Sequence, residues 1–165
     1  MSEELGRRYY LLALSAAERS ELSDAARLAT RAVLLGNSRD DVLRLLGLCL
    51  YELGETESAA DILAAFPDLA DGARETCASV RAGLDETRRL ARFGKWRAAL
   101  KAAENIPHQS VRLLNIRGCI LAGAKRYAGA GKLFALAAEK DPSGRAAPEY
   151  LRETAKYTRL CWRIR

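Results

Sequence analysis

The chain has 165 residues, 49% of them hydrophobic, which is enough for one folded domain and too apolar for a disordered segment. Ala, Leu, Arg and Glu dominate while β-branched residues are sparse, so helices are expected and a sheet is not. The formal net charge of +6 divides unevenly: residues 1–75 hold 8 basic and 14 acidic side chains (−6), and residues 76–165 hold 19 and 7 (+12). Such a field steers an acidic partner towards the C-terminal half, or the acidic end of one copy towards the basic end of another.

Taken in chain order, the first predicted element is a helix pair over about 5–36. Its apolar stretch Tyr9–Leu14 follows acidic residues and lacks a small-residue cleavage site after it, so no secretory signal is expected. It is also far short of the roughly 18 apolar residues of a membrane span. A second pair is predicted over about 40–66. Gly54 ends its first helix, because glycine tolerates the positive φ of a helix C-terminus, and Pro67 prevents continuation of the second. A third pair is predicted over about 73–106, with a long first helix from near Gly72 to about Phe93. The fourth spans about 110–140, opens on Ser110 as an N-cap and ends before Asp141-Pro142. After the break at Ser143-Gly144, a capping helix is expected over about 148–162, with Pro148 in its first turn and Tyr150, Leu151, Thr154, Thr158 and Cys161 at helical spacing. Aligning Gly54 with Gly94 superposes Ala59 on Ala99 and Pro67 on Pro107. One alanine recurs early in each second helix, at Ala25, Ala59, Ala99 and Ala130, at spacings of 34, 40 and 31.

These residues resemble the tetratricopeptide repeat family, whose pattern is W-x2-L-G-x2-Y, then A-x3-F, then P, on a period of about 34. The fourth copy carries Leu114, Gly118, Leu121, Tyr127, Ala130, Phe134, Ala137 and Pro142 in that spacing. It departs at Leu114, where the family prefers Trp, at Arg117, where it prefers Leu, and at Leu121, where it prefers Tyr. The second copy carries Leu43, Leu46, Gly47, Leu50 and Ala59, with Leu63 in place of Phe. The first carries Tyr9, Leu12, Ala13, Ala25 and Ala32, and the third only Gly94, Trp96 and Ala99. The resemblance implies an all-α fold: one domain over 1–165, a right-handed superhelix (α-solenoid) of about four antiparallel pairs plus the C-terminal cap. HEAT-like or armadillo-like arrays share the packing logic but have longer periods.

In the family, first helices line a concave groove that takes peptides or helices from partner proteins. The family register places Arg7, Tyr10 and Leu14 there from the first copy, and Arg44, Leu48 and Tyr51 from the second. It places Arg81, Arg88 and Arg92 there from the third copy, and Arg112, Asn115 and Cys119 from the fourth. Recurrent Arg favours carboxylates through bidentate bonds, so the expected ligand is an acidic or C-terminal peptide. Some members clamp a chaperone's terminal carboxylate with Lys and Asn. Tyr10 and Leu14 stand in those places here, so that ligand is not implied.

Catalytic signals are sparse. His108, the lone histidine, follows Pro107 in a turn with no Cys or carboxylates spaced for a metal, and a pairing with Cys119 is not expected on a helix starting near Ser110. Asp40-Asp41 suits a helix start better than acid–base work. Trp96 and Tyr127 open second helices and are expected to staple their own pairs. Neither metal nor cofactor is implied, and no enzyme is expected. Cys49, Cys77, Cys119 and Cys161 lack C-x-x-C spacing and are expected as reduced, mostly buried thiols of a cytoplasmic protein. The basic, apolar terminus around Trp162 suits the frayed end of a cap or contact with an anionic surface. Two alternatives stay open: nucleic-acid binding through the basic half, although stacking aromatics are not clustered there, and a homodimer or homo-oligomeric scaffold.

Overall fold

A computed structural model describes the backbone of residues 2–163 and the side chains of residues 3–68 and 75–158. The described residues form helices joined by short turns: α1 (Ser2–Glu18), α2 (Leu22–Leu34), α3 (Asp40–Leu53), α4 (Thr56–Leu63), α5 (Pro67–Arg92), α6 (Trp96–Glu104), α7 (Val111–Gly123), α8 (Tyr127–Lys140) and α9 (Ala146–Arg163). None of the described helices is long and apolar enough to cross a membrane. The chain divides into two compact units. The first holds the residues up to Ala78 together with Lys140–Gly144; the second holds Ser79–Glu139 and the residues from Arg145 onward.

Four helix pairs recur with one internal geometry. Ala13, Gly47, Thr87 and Gly118 are buried in the first helices. Seven residues after each comes the turn, at Ser20 (φ 59°), Gly54 (91°), Gly94 (69°) and Lys125 (61°). All four are left-handed, which glycine adopts freely and Ser and Lys adopt at a cost. The same pair of backbone bonds closes every turn. The amides of Glu21, Glu55, Lys95 and Arg126 donate to the carbonyls of Ala16, Leu50, Leu90 and Leu121 at 2.8–3.0 Å. The left-handed residues themselves donate to Ala17, Tyr51, Ala91 and Ala122 at 2.9–3.1 Å. This is the Schellman arrangement, which satisfies the orphan carbonyls at a helix end. Five residues beyond each turn residue lie Ala25, Ala59, Ala99 and Ala130, all fully buried.

Four residues further on, the buried partners are Ala29, Leu63, Ala103 and Phe134. In two pairs their sizes complement the first-helix residues, Gly47 with Leu63 and Gly118 with Phe134. A Cβ added to Gly47 would meet Leu63 Cδ2 at 2.7 Å, and one added to Gly118 would overlap the Phe134 ring. At these two crossings a small residue on one helix makes room for a large one on the other, which maintains interior density.

The core of the first unit is alanine-rich, with Ala13, Ala16, Ala25, Ala26, Ala29 and Ala32 joined by Val42, Leu46 and Cys49. In the second unit, Val80, Leu84, Ala99, Ala103, Ile106, Leu113 and Ile120 form one cluster, and Leu121, Ala130 and Phe134 another. The last helix covers α8: Tyr150 tilts against Phe134 and Tyr157 stacks on Tyr127, both at 5.0 Å between centroids.

The element boundaries differ from expectation in places. The long helix begins at Pro67 rather than near Gly72, because proline lacks the N–H that a first helical residue cannot use. The second helix of the second pair stops at Leu63, and Phe66 is buried just beyond it. The last helix starts at Ala146, two residues before Pro148. Trp96 packs on Gly123 of the following α7, and Tyr127 on α9, so both reach beyond the pair they were expected to staple. Ser110 does cap α7, accepting from the Leu113 amide at 3.3 Å.

Candidate binding surface

The predicted groove residues fall into two groups, one per unit. In the first unit, Arg7 is exposed on α1, and Tyr10 is half-buried against the alanine core. Arg44 is already occupied. Its guanidinium grips Asp68 through two bonds of 2.7 and 3.1 Å and lies 4.9 Å over the Phe66 ring. Hydrogen bonding to Arg44 holds the Asp68 carboxyl below its ordinary range, and Asp68 in turn raises the guanidinium. Both groups are solvent-exposed, so the pair orients Arg44 more than it stabilises the fold. Tyr51 is half-buried; burial raises its phenol, and a hydrogen bond with Thr76 works against that rise. Leu48 is exposed and Leu14 half-buried.

In the second unit, Arg81, Arg88 and Arg92 are spaced by seven and four residues, so they share one face of α5. Arg88 stands 3.7 Å from Asp85, a loose and exposed pairing. Arg92 is exposed with no ion-pair partner among the described residues. On α7, Arg112, Asn115 and Cys119 likewise share a face. The Asn115 Oδ1 is buried without a hydrogen-bond partner, whereas Cys119 is exposed and departs from the expectation of buried thiols. Cys49 and Cys77 are buried as expected. Burial, reinforced by Asp141 and Glu52, pushes the Cys49 thiol up to about 11. Cys161 and Trp162 lie outside the residues whose side chains are described.

Three further features escape sequence reasoning. Arg117, where the family prefers Leu, bonds Gln109 at 2.8 Å and approaches Glu104 at 3.9 Å, while its Nε is buried without a partner. Asn37 and Arg39 line a cavity of about 360 Å³ with Glu3, Glu4 and Arg7. Asp141 is almost fully buried and accepts from the Ser23 amide at 3.2 Å, the Ser23 hydroxyl at 2.5 Å and the Ser143 hydroxyl at 2.7 Å. It thereby caps the start of α2, whose own N-cap residue, Glu21, supplies no side-chain bond. The only sequence hint was Asp-Pro-Ser-Gly, a turn-forming tetrad. Its turn bond is present, from the Gly144 amide to the Asp141 carbonyl at 3.1 Å.

Among the described residues, no group of three or more His, Cys, Asp and Glu side chains is placed to hold a metal ion. No family model matches the chain, and a search of the curated proteins finds no match.

Proposed function

We propose that this chain is a non-catalytic adaptor of the tetratricopeptide type. Its pairs would be of the kind that stacks into a right-handed superhelix, and its arginine faces on α5 and α7 would bind an acidic segment of a partner protein. The observation that carries the module assignment is the fourfold recurrence of one turn and one crossing, at Ser20, Gly54, Gly94 and Lys125 and at Ala25, Ala59, Ala99 and Ala130. Repetition of a single supersecondary unit is the mark of binding arrays, whose function lies in the exposed faces of successive helices. The net charge of +12 over residues 76–165 and the single-face spacing of Arg81, Arg88 and Arg92 favour an acidic ligand. Arg44 contributes less, because Asp68 already satisfies it.

The test is fluorescence anisotropy with a labelled ten-residue Asp/Glu peptide, a Lys/Arg peptide of equal length and a single-stranded oligonucleotide. The acidic peptide should bind, and Arg88→Gln with Arg92→Gln should weaken it about tenfold, the equivalent of about 1.4 kcal/mol. Equal affinity for the acidic and basic peptides would overturn the proposal. Binding of the oligonucleotide alone, with a steep salt dependence, would replace it with nucleic-acid recognition.

A further inference from the structure

The cavity at the start of α1 is polar, and its charge is unevenly satisfied. Glu3, Glu4 and Arg7 reach it from the first turns of α1, and Asn37 and Arg39 from the connection into α3. Its volume of about 360 Å³ sits at the small end of ligand pockets, with room for one small molecule or one terminal residue. Glu4 is engaged by Arg8 at 3.0 Å. Arg7 and Arg39 have no ion-pair partner among the described residues. Asn37 is only 5% exposed, and its described hydrogen bond, to the Ala32 carbonyl at 3.0 Å, is made by its backbone amide. A Cβ on Gly6 would stand 3.0 Å from that of Asn37, so the glycine leaves room for Asn37 at the cavity wall.

We infer that this cavity is a binding site for a single carboxylate, paired with Arg7 and Arg39 and hydrogen-bonded by the Asn37 amide. The charge balance selects the ligand class. Two guanidiniums face one uncommitted carboxylate, Glu3, which leaves room for one negative charge. A dianionic phosphate would exceed that balance. Planar guanidiniums match the carboxylate fork. Glu3 is placed to accept from an N–H of the same ligand. The carboxylate can come from a free organic acid or from a peptide C-terminus. The site shares no residue with the faces on α5 and α7 and its assignment does not depend on them.

The experiment is an NMR titration of the full chain with N-acetylglycine, with N-acetylglycinamide, inorganic phosphate and an N-acetylated tripeptide with uncharged side chains and a free C-terminus as the other arms. N-acetylglycine should give saturable shifts at the Asn37 side-chain amide and at the Nε–H groups of Arg7 and Arg39, and the amide analogue should give none. Arg7→Gln and Arg39→Gln should each weaken binding at least tenfold while thermal melting stays unchanged, since both side chains are exposed. Tripeptide binding tenfold tighter than N-acetylglycine identifies a peptide terminus as the source; equal or weaker binding identifies a small acid. Shifts that never saturate, shifts spread over all surface arginines, or phosphate binding as tightly as N-acetylglycine would overturn the assignment. So would affinity unaltered in both variants. Loss of acidic-peptide binding in Arg88→Gln/Arg92→Gln reports on the other surface alone, so the two proposals fail independently.

Discussion

Thr87 shows how a single residue can hide a repeat. It occupies the first-helix crossing position of the third pair, where the other pairs have Ala or Gly, and its hydroxyl is fully buried with no hydrogen-bond partner. An unpaired buried hydroxyl costs about 1–3 kcal/mol, and valine keeps the branched shape without it. Thr87→Val should therefore raise stability by about 1 kcal/mol, seen as a rise of about 2–4 °C in the calorimetric Tm. Thr154 is the matched control. It is also buried, but its hydroxyl donates to the Tyr150 and Leu151 carbonyls at 2.9 and 3.1 Å. Thr154→Val should give no such gain. Stabilisation of both proteins alike would mean that the Thr87 hydroxyl is not the cause.

At the scale of elements, the turn and the crossing set the pair. Lys125 holds φ at 61° where Gly54 and Gly94 hold the same conformation without a Cβ. Lys125→Gly should stabilise the chain by about 0.5–1 kcal/mol in urea unfolding, because relief of the left-handed strain exceeds the added freedom of the unfolded chain. Gly118→Ala should cost about 1–3 kcal/mol, since its methyl would overlap the Phe134 ring and α7 would have to move. The first helix offers a further contrast. Leu12 and Leu46 occupy equivalent places one residue before the crossing, yet Leu12 is 55% exposed and Leu46 only 7%. Leu46 packs into the alanine core of the first unit, whereas Leu12 stands at the open side of α1. Leu12→Gln should change the urea midpoint little, and Leu46→Gln should cost more than 2 kcal/mol. Equal effects would mean that something covers α1 in solution.

At the scale of the chain, Asp141 caps α2 through Ser23, 118 residues earlier in sequence, and so ties Lys140–Gly144 into the first unit. Ser143 adds a bond from the Asp24 amide at 3.1 Å, and Lys140 pairs with Glu52 at 2.7 Å. Asp141→Ala leaves the Ser23 amide and hydroxyl without their acceptor in a part-buried place and should lower stability by about 1–3 kcal/mol. Hydrogen exchange should then quicken in the first turn of α2. Unchanged protection at Ser23 and Asp24 would show that the cap adds nothing.

The sequence alone determined the helical class and where most of the helices begin and end. Apolar periodicity, the recurring alanines and the Gly and Pro punctuation are local signals, and local backbone physics reads them directly. Gly54 and Gly94 announced two of the four turns. Ser20 and Lys125 did not, because their left-handed φ is imposed by the packing of the helices on either side and is disfavoured by their own side chains. The candidate surface was legible as residue spacing on α5 and α7. Its electrostatics were not: only the tertiary structure decided that Asp68 occupies Arg44 while Arg7 joins Arg39 and Asn37 around a cavity. Pairings between residues on different helices depend on where the helices cross, and that is fixed by complementary volumes such as Gly47 with Leu63 and Gly118 with Phe134, which no single stretch of sequence contains.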